Sequence, residues 1–421
     1  MALKNLKVLD LTRVLAGPYA TMLLGDRGAK ILKIERPCVG DDTRSWGPPF
    51  LSNKSTGEKV STYYLSVNRN KKSIAIDLKN ERGIELVRKL ASRCDVLIHN
   101  FRQSSIEELK LDYKTLKKIN EKLVYCSISG YGDTGRLKNK PAYDVGISSA
   151  YGLLSITGER DGDPSKVGVA ITDVATGMLA CNGILTAIIE RNATGLGSYV
   201  STSLMETQLS FLTNIAASAL NSEKVPLRHG SAHESLVPYQ AFKCSCGNFM
   251  FVGCGNDRQF SELLEILSKN CKSWFSLKSR DYWQTNESRV KNRERLVSKL
   301  EQTFLTKDRE EWLALTADAS FVVTSVRNVR EAFQCDQVKD RRGVISIDHP
   351  IAGEVLLPAH PVKFKASCDD DGEDYDEIAY TPPPCLGLNT AEVLKSELNL
   401  SDAEVHDLQA QGVIQCAGAD T

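Results

Sequence analysis

Surplus charge is the first thing this 421-residue sequence lacks. Lys plus Arg number 53 and Asp plus Glu number 53, so no global field draws in nucleic acid or an anionic membrane, although a local basic pocket is allowed. No apolar run reaches the ~18–20 residues of a bilayer span, and no membrane span is expected. A signal-peptide pattern is missing too, because KNLKVLDL reads as a strand almost at once, and there is no Arg- and Ser-rich transit segment. Either the chain works where it is made, or a presequence lies outside these residues. Paired C-x-x-C sets are absent among the twelve cysteines. A reducing compartment with free thiols is therefore expected, not a disulfide frame. The closest group, Cys244, Cys246 and Cys254, has no obvious fourth ligand and sits in a stretch that reads as a β-hairpin, so no metal site is expected.

Motifs with a fixed chemistry are equally scarce. VLAGPYA, after the first strand, lacks G-x-G-x-x-G, and G-x-x-x-x-G-K-[ST] occurs nowhere, which disfavours dinucleotide and P-loop sites. The six histidines are dispersed, with no G-x-S-x-G elbow and no H-E-x-x-H. His99, ending an apolar strand, reads as a core or rim residue rather than a catalyst.

What is present is an ordinary globular composition, 42% hydrophobic and 25% charged, and enough length for two or three domains of ~100–200 residues. The first half alternates strand and helix: LKVLDL, AGPYATMLLGDRG, AKILKIER, SIAIDL, ERGIELVRKLASRC, DVLIHNF and LVYCSISGYG. That rhythm predicts βαβ units and a parallel sheet covered on both faces. The expected fold class is α/β, with a large doubly wound parallel-sheet domain over residues 1–220 and a smaller α+β domain over 225–345. The latter holds the hairpin YQAFKCSCGNFMFVGC and short charged helices (FSELLEILSK, ESRVKNRERLVSKL, KDREEWLAL). Residues 346–421 are expected to return to the large domain. HPIAGEVLLPAHPVKF reads as a strand pair, SCDDDGEDYDEIAYTPPP as an exposed linker, and two C-terminal helices follow, the second capped by Ser401.

VGVAITDVATGM places Asp173 before a long apolar helical pattern. Thr172 or Asp173 is expected to cap that helix. Met178, Cys181, Leu185, Ile188 and Ile189 recur at three-to-four spacing, and Gly195 can close the end. Thr176, Gly177 and Ala180 keep the first turns slim, so a backbone or a ligand can come close. Loops after strands are where α/β sheets bind ligands, and TRVLAGP, IERP and HNFR follow three of them. NRNKKSIAIDLK adds four basic groups and YGDTGRLKNKPAYD three, together suggesting a groove for an anionic, nucleotide-like ligand.

In order, DLTRVLAGP, ILKIERP, NRNKKSIAIDL, HNFR, SGYG, PAYD and ITDVATG resemble the family III CoA-transferases, the formyl-CoA transferase and carnitine-CoA transferase group. The resemblance runs from residue 5 to about 205 and resumes in PPPCLGLNTAEVL and LQAQGVI. GSAHESLVPYQAF, VGCGNDRQF and KNRERL are most similar to members that move CoA from succinyl-CoA to glutarate. The resemblance implies a catalytic aspartate at Asp173. It implies CoA contacts at Val14, Leu15, Ala16 and Arg36, at Ile76, Asp77, Leu78 and Lys79, at Asn100, Phe101 and Arg102, and at Lys140, Pro141, Ala142 and Tyr143. No permanently bound cofactor is implied, only CoA thioesters and carboxylic acids as substrates. A homodimer interlocked as a ring and a mitochondrial location are implied as well, the cytoplasm being the alternative. Glu108 departs from the pattern where some relatives carry an Arg, and Asn389 where many carry a His.

The chemistry such a site performs needs one ionised carboxylate and neither metal nor general base. A helix N-terminus is expected to keep Asp173 charged, Thr176-Gly177 to leave room, and backbone N–H groups of GCGN to serve an oxyanion. Two rival readings exist. An acyl-CoA racemase of the same superfamily reads GHDINY where this chain reads PAYDVGI, which puts Tyr143 where the base should be, and a phenol titrating near ~10 suits proton abstraction poorly. A CoA-binding protein without turnover has no need of Asp173. Among acceptors a dicarboxylate such as glutarate is favoured, with formate, oxalate or a carnitine-like carboxylate as alternatives.

Overall fold

The computed structural model describes residues 2–53, 55–271, 274, 283–364 and 377–417. The chain divides into two compact units. The first comprises the chain up to Leu153, Val167–Lys224, and everything from Asp340 on; the second comprises Leu154–Lys166 and Val225–Lys339. Leu154–Lys166 thus groups with the later segment, a detail the contiguous ranges 1–220 and 225–345 do not contain. Most of the linker stretch, 365–376, lies outside the described residues.

In the first unit the strands are β1 (Lys7–Asp10), β2 (Lys30–Glu35), a short hairpin of β3 (Phe50–Ser52) and β4 (Lys59–Ser61), then β5 (Lys71–Ile76), β6 (Val96–His99), β7 (Val124–Ser129) and β8 (Tyr199–Ser203). β1, β2 and β5–β8 pair in parallel in the order β5-β2-β1-β6-β7-β8. Alternate residues of these strands serve opposite faces. Leu9, Leu32, Ile74 and Leu97 meet Ile84, Val87 and Leu90 of the Glu81–Ala91 helix. Val8, Ile31, Val96 and Ile98 meet Ala20 and Leu24 of the Ala16–Asp26 helix and Ala180 and Ile184 of the Ile171–Thr194 helix. The sheet is doubly wound, and its order reverses between β1 and β6, where open α/β sheets form their binding crevice.

The Ile171–Thr194 helix corrects two expectations. It is long and apolar enough to cross a membrane by length and composition, although no such segment was expected. In this fold it lies on the sheet through small residues, with Ala175, Thr176, Gly177, Ala180 and Ala187 buried. Ile184 is buried with them, and Cys181, Leu185 and Ile188 of the expected stripe pack half-buried against the same layer, so the stripe holds in part. Met178 and Ile189, expected in that stripe, are 52% and 72% exposed.

After the second unit the chain makes a hairpin and returns to the sheet. Asn389 accepts from the Ser73 N–H at 3.2 Å and donates its own N–H to the Ser73 carbonyl. Val393 and Leu394 of the Thr390–Leu398 helix and Val405 and Leu408 of Asp402–Ala410 complete the apolar layer over β5. Glu397 receives Lys7 at 2.8 Å and also Lys30. The departure at Asn389 is therefore an anchoring feature. In the second unit β9 (Tyr239–Lys243), β10 (Phe249–Gly253) and β11 (Val322–Ser325) form an antiparallel sheet. It is backed by Phe260, Leu296, Phe304 and Trp312. ESRVKNRERLVSKL forms two helices, Asn286–Lys291 and Arg293–Phe304, parted at Asn292. Buried Arg289 donates to the carbonyls of Val237, Trp283 and Gln284 and to Asp257. Back in the first unit, the returning hairpin is β12 (Val344–His349) with β13 (Gly353–Pro358), so its first strand begins upstream of the stretch expected. The last strand, β14 (Ile414–Gln415), joins the large sheet antiparallel to β5, with Ile414 opposite Ile76.

Candidate active site

The crevice is built by the turns that leave β1 and β6. Asn100 stitches them together: its Oδ1 accepts from the Arg13 N–H at 3.0 Å and its Nδ2 donates to the Arg13 carbonyl at 2.7 Å. Val14 takes φ +73°, costly for a β-branched residue, and its N–H donates to Asp41 Oδ1 at 3.2 Å. A buried charge network supports this turn from below. Lys33 donates to the Thr12 carbonyl and to Asp41, at 2.8 and 2.9 Å. Asp10 accepts from Thr12, Thr21 and Lys71. Burial opposes the charge on Asp10, yet Lys71 and Lys33 win and hold it below the usual carboxylate range. Burial also draws Lys71 down to about 8. Two of the basic groups expected in the groove, Arg69 and Lys71, are therefore buried structural ions, Arg69 being paired with Asp26 at 2.6 Å. Paired burial is how such charges are tolerated inside a fold.

Beyond the turn, Leu15 is the N-cap of the Ala16–Asp26 helix and makes no side-chain cap. Gly177 brings the Ile171–Thr194 helix against this start. A Cβ there would stand 2.5 Å from the Ala16 carbonyl oxygen. The room expected from Thr176-Gly177 is thus occupied by backbone, which draws Asp173 to the crevice. Around it lies a cavity of about 670 Å³ lined by Val14, Leu15, Ala16, Asn100, Phe101, Arg102, Lys140, Pro141, Ala142, Tyr143 and Asp173. Arg13, Asp42, Trp46, Ser105 and Lys138 also line it, and sequence reasoning did not single these out. Nor did it register GYGDTG, residues 130–135, which has dinucleotide glycine spacing but opens no helix. Gly130 lines the cavity, and a Cβ on it would meet that of Ala142 at 2.2 Å.

The remaining expected contacts gather in a second cavity of about 280 Å³, with Arg36, Ile76, Asp77, Leu78 and Lys79 in its wall. Arg13 and Phe101 line both cavities. Asp42 accepts from Arg13 at 2.8 Å and from Arg36 at 2.9 Å, so one carboxylate ties together cations from the two. Glu108 ends the Gln103–Glu108 helix and is among the lining residues of neither cavity.

Asp173 is not the cap that its place in the sequence suggests. The helix begins at Ile171, its N-cap is Ala170 and no side chain of its own caps it. The cap comes from Asp144, on the Asp144–Ala150 helix, whose Oδ2 accepts from the N–H groups of Thr172 at 2.8 Å and Asp173 at 3.2 Å. Burial, and then the Asp144 charge, push the Asp173 carboxyl up to about 7. This corrects the expectation that the helix terminus keeps it firmly ionised: the dipole acts within water-depleted surroundings beside a like charge, and those two effects prevail. Burial and the charges of Asp173, Asp144 and Asp41 likewise raise Tyr63. The GCGN loop belongs to the second unit. There the Cys254 N–H donates to the Pro238 carbonyl and the Gly255 N–H to Gln259 Oε1, at 2.9 and 2.7 Å. His99 is buried, its imidazole pushed down to about 4 by desolvation. It belongs to the core.

The sequence pattern of CoA-transferase family III matches residues 3–370. A Mus musculus protein named succinyl-CoA:glutarate CoA-transferase is 39% identical over 418 residues, covering 98% of this chain and 90% of that protein. Succinate–glutarate CoA-transferase of Agrobacterium fabrum is 36% identical over 93% of this chain and 94% of its own length. Acetyl-CoA:oxalate CoA-transferase of Acetobacter aceti is 33% identical, over 87% and 90%. Among solved structures, a CaiB/BaiF family protein from Brucella suis superposes with a TM-score of 0.81 at 35% identity, covering 94% of this chain and 98% of that one.

Proposed function

This chain belongs to CoA-transferase family III, and from that premise we propose that Asp173 is the nucleophile that passes CoA from succinyl-CoA to a dicarboxylate such as glutarate. The protein is an enzyme that transfers CoA from an acyl-CoA to a carboxylic acid. The observation that carries the reading is the Asp173 carboxylate in the wall of a cavity of about 670 Å³, beside a basic loop holding Lys138 and Lys140, where the other lining carboxylate, Asp42, is paired with Arg13 and Arg36. The Asp173 carboxylate accepts no hydrogen bond from the described residues, so its lone pairs stay available. In the proposed reaction it attacks the donor thioester carbonyl, the C–S bond breaks and CoA thiolate leaves a mixed anhydride. The thiolate attacks the Asp173 carbonyl of that anhydride, releasing the donor as a carboxylate and leaving an aspartyl-CoA thioester. The acceptor carboxylate then attacks this thioester, and the returning thiolate takes its acyl group, restoring Asp173.

The nucleotide end of CoA is assigned to the smaller cavity, whose wall combines apolar Leu11, Ile34, Ile76 and Leu78 with Arg36 and Lys79. Phe101 and Arg13, shared by both cavities, support a path for the pantetheine arm toward Asp173. The mitochondrion is the assigned compartment, and the eleven described cysteines, all unbridged, support a reducing one. A homodimer is part of the same proposal. Bare apolar side chains on the first unit, Ile189, Phe211 and Leu220 at 72%, 50% and 83% exposure, support it. Light scattering should give twice the 46.4 kDa chain mass; a monomer refutes the dimer.

To test the chemistry, the protein is incubated with succinyl-CoA and a panel of carboxylic acids, and new acyl-CoA masses are read. Asp173→Asn should fold, bind CoA and lose transfer by orders of magnitude. Without acceptor, a wild-type peptide containing Asp173 should become labile to hydroxylamine. An Asp173→Asn enzyme working at more than about a tenth of the wild-type rate would exclude the assignment.

A further inference from the structure

Four backbone N–H groups at the start of any helix have no partner within it, and the helix that presents Asp173 begins at Ile171 after the N-cap Ala170, which offers no side-chain acceptor. The need is met from outside. Asp144, nearly buried, places one oxygen 2.8 Å from the Thr172 nitrogen and 3.2 Å from that of Asp173. The same turn is held from other sides, since the Thr172 hydroxyl donates to Gln208 Oε1 at 2.6 Å and lies 3.3 Å from the Ser148 hydroxyl. Asp144 does not line the cavity that holds Asp173. It acts on the site from behind.

We propose, building on the assignment of Asp173 as nucleophile, that Asp144 is its positioning residue. One oxygen of Asp144 caps the nucleophile's helix, while its charge stands beside the reacting carboxylate from a different helix. The two roles are separable. The cap fixes the first turn and hence where the Asp173 side chain emerges. The charge makes the nucleophile hold its proton more tightly, so that once ionised it is a stronger base and a better attacking group. Its cost is a site that empties of active nucleophile as the medium turns acidic.

Other titratable groups share the surroundings and bound the effect. Tyr63, on the Thr62–Val67 helix, interacts with both carboxylates. Arg13, Asp42 and Arg102, from the turns after β1, β2 and β6, line the cavity, as do Lys138, Lys140 and Tyr143 from the loop before Asp144. Arg13 and Asp42 are paired with each other. Asp144 is the charged group that contacts the nucleophile's own backbone.

The test compares pH profiles of kcat/KM for succinyl-CoA. Asp144→Asn keeps an acceptor oxygen for the cap and removes the charge. Its acid limb should fall by about one pH unit or more, as when one of two neighbouring carboxylates is neutralised, with a near-normal melting temperature. Asp144→Ala loses cap and charge together and should also melt earlier and show a lower kcat plateau. Should the Asn variant fold poorly, Asp144→Ser offers a smaller uncharged acceptor and should move the limb the same way. A limb that stays at the wild-type pH in the Asn or Ser variant overturns the proposal, even if kcat drops, because a purely structural role predicts that pattern. Failure of the nucleophile assignment shows separately, as transfer that survives Asp173→Asn.

Discussion

Replacing Asp173 by a neutral isostere should make the protein more stable. The Asp173 carboxyl is displaced from 3.8 to about 7 by burial and by Asp144, so the folded protein holds that proton more tightly than the unfolded chain does. Between those two values the native state binds more protons, and stability therefore falls as pH rises from about 4 to about 7, then levels off. At about 1.4 kcal/mol per pH unit the full penalty would be about 4 kcal/mol. Part of the side chain reaches solvent, which screens the charge and brings the expected figure to about 2–3 kcal/mol. Asp173→Asn keeps the shape, carries no charge and leaves the Asp144 cap untouched, because that cap uses the backbone N–H. The variant should melt about 4–10 °C above wild type at pH 8, given a few degrees per kcal/mol in a unit of this size. At pH 5, where wild-type Asp173 is largely protonated, most of that gain should vanish. Differential scanning calorimetry at pH 5, 6, 7 and 8 measures it. An Asn variant no more stable than wild type at pH 8, or equally stabilised at every pH, would refute the electrostatic account.

Two further outcomes follow from packing. Gly177→Ala adds a methyl 2.5 Å from the Ala16 carbonyl. Overpacking of ~1–3 kcal/mol should outweigh the ~1 kcal/mol gain in helix propensity, lowering the melting temperature and raising KM for succinyl-CoA, and a stabilised variant with unchanged KM would contradict the contact. Arg289→Met strips donors from the carbonyls of Val237, Trp283 and Gln284 and should cost about 3 kcal/mol or more. Urea unfolding followed by intrinsic tryptophan fluorescence would report the loss, since Trp283 and Trp312 share the second unit's core; an unchanged midpoint contradicts it.

The parallel half of the fold was legible because its strands are covered on both faces and read as apolar runs between amphipathic stretches. The Glu81–Ala91 helix shows this well: Ile84, Val87 and Leu90 fall on one side and the charges on the other. The Ile171–Thr194 helix departs from its pattern at two positions, Met178 and Ile189, for the opposite reason. Its large residues trace one stripe, but its small ones allow the closest approach to α/β backbone, and proximity decided. The candidate site was legible as a set of loops because strand ends announce themselves. The partnership between Asp144 and the Asp173 backbone was not. It joins residues 29 apart through a helix start whose own N-cap, Ala170, is chemically silent. Lys33 and Lys71 were opaque in the same way, since a lysine in a strand looks the same whether it meets water or a buried aspartate.

The closure of the sheet by the far end of the chain has a consequence for synthesis. β5 ends at Ile76, yet its open side is covered by Ile414 and Gln415, and Lys7 and Lys30 wait for Glu397. At ~5–20 residues per second on a ribosome, the partner arrives on the order of tens of seconds after the strand it completes. During that interval β5 is a bare edge, with hydrogen-bonding groups that any neighbouring nascent chain could satisfy. Crowding of ribosomes on one message would place several identical edges side by side. A holding chaperone that shields the first eighty or so residues until release would therefore raise the yield of native protein more than one that acts on the finished chain.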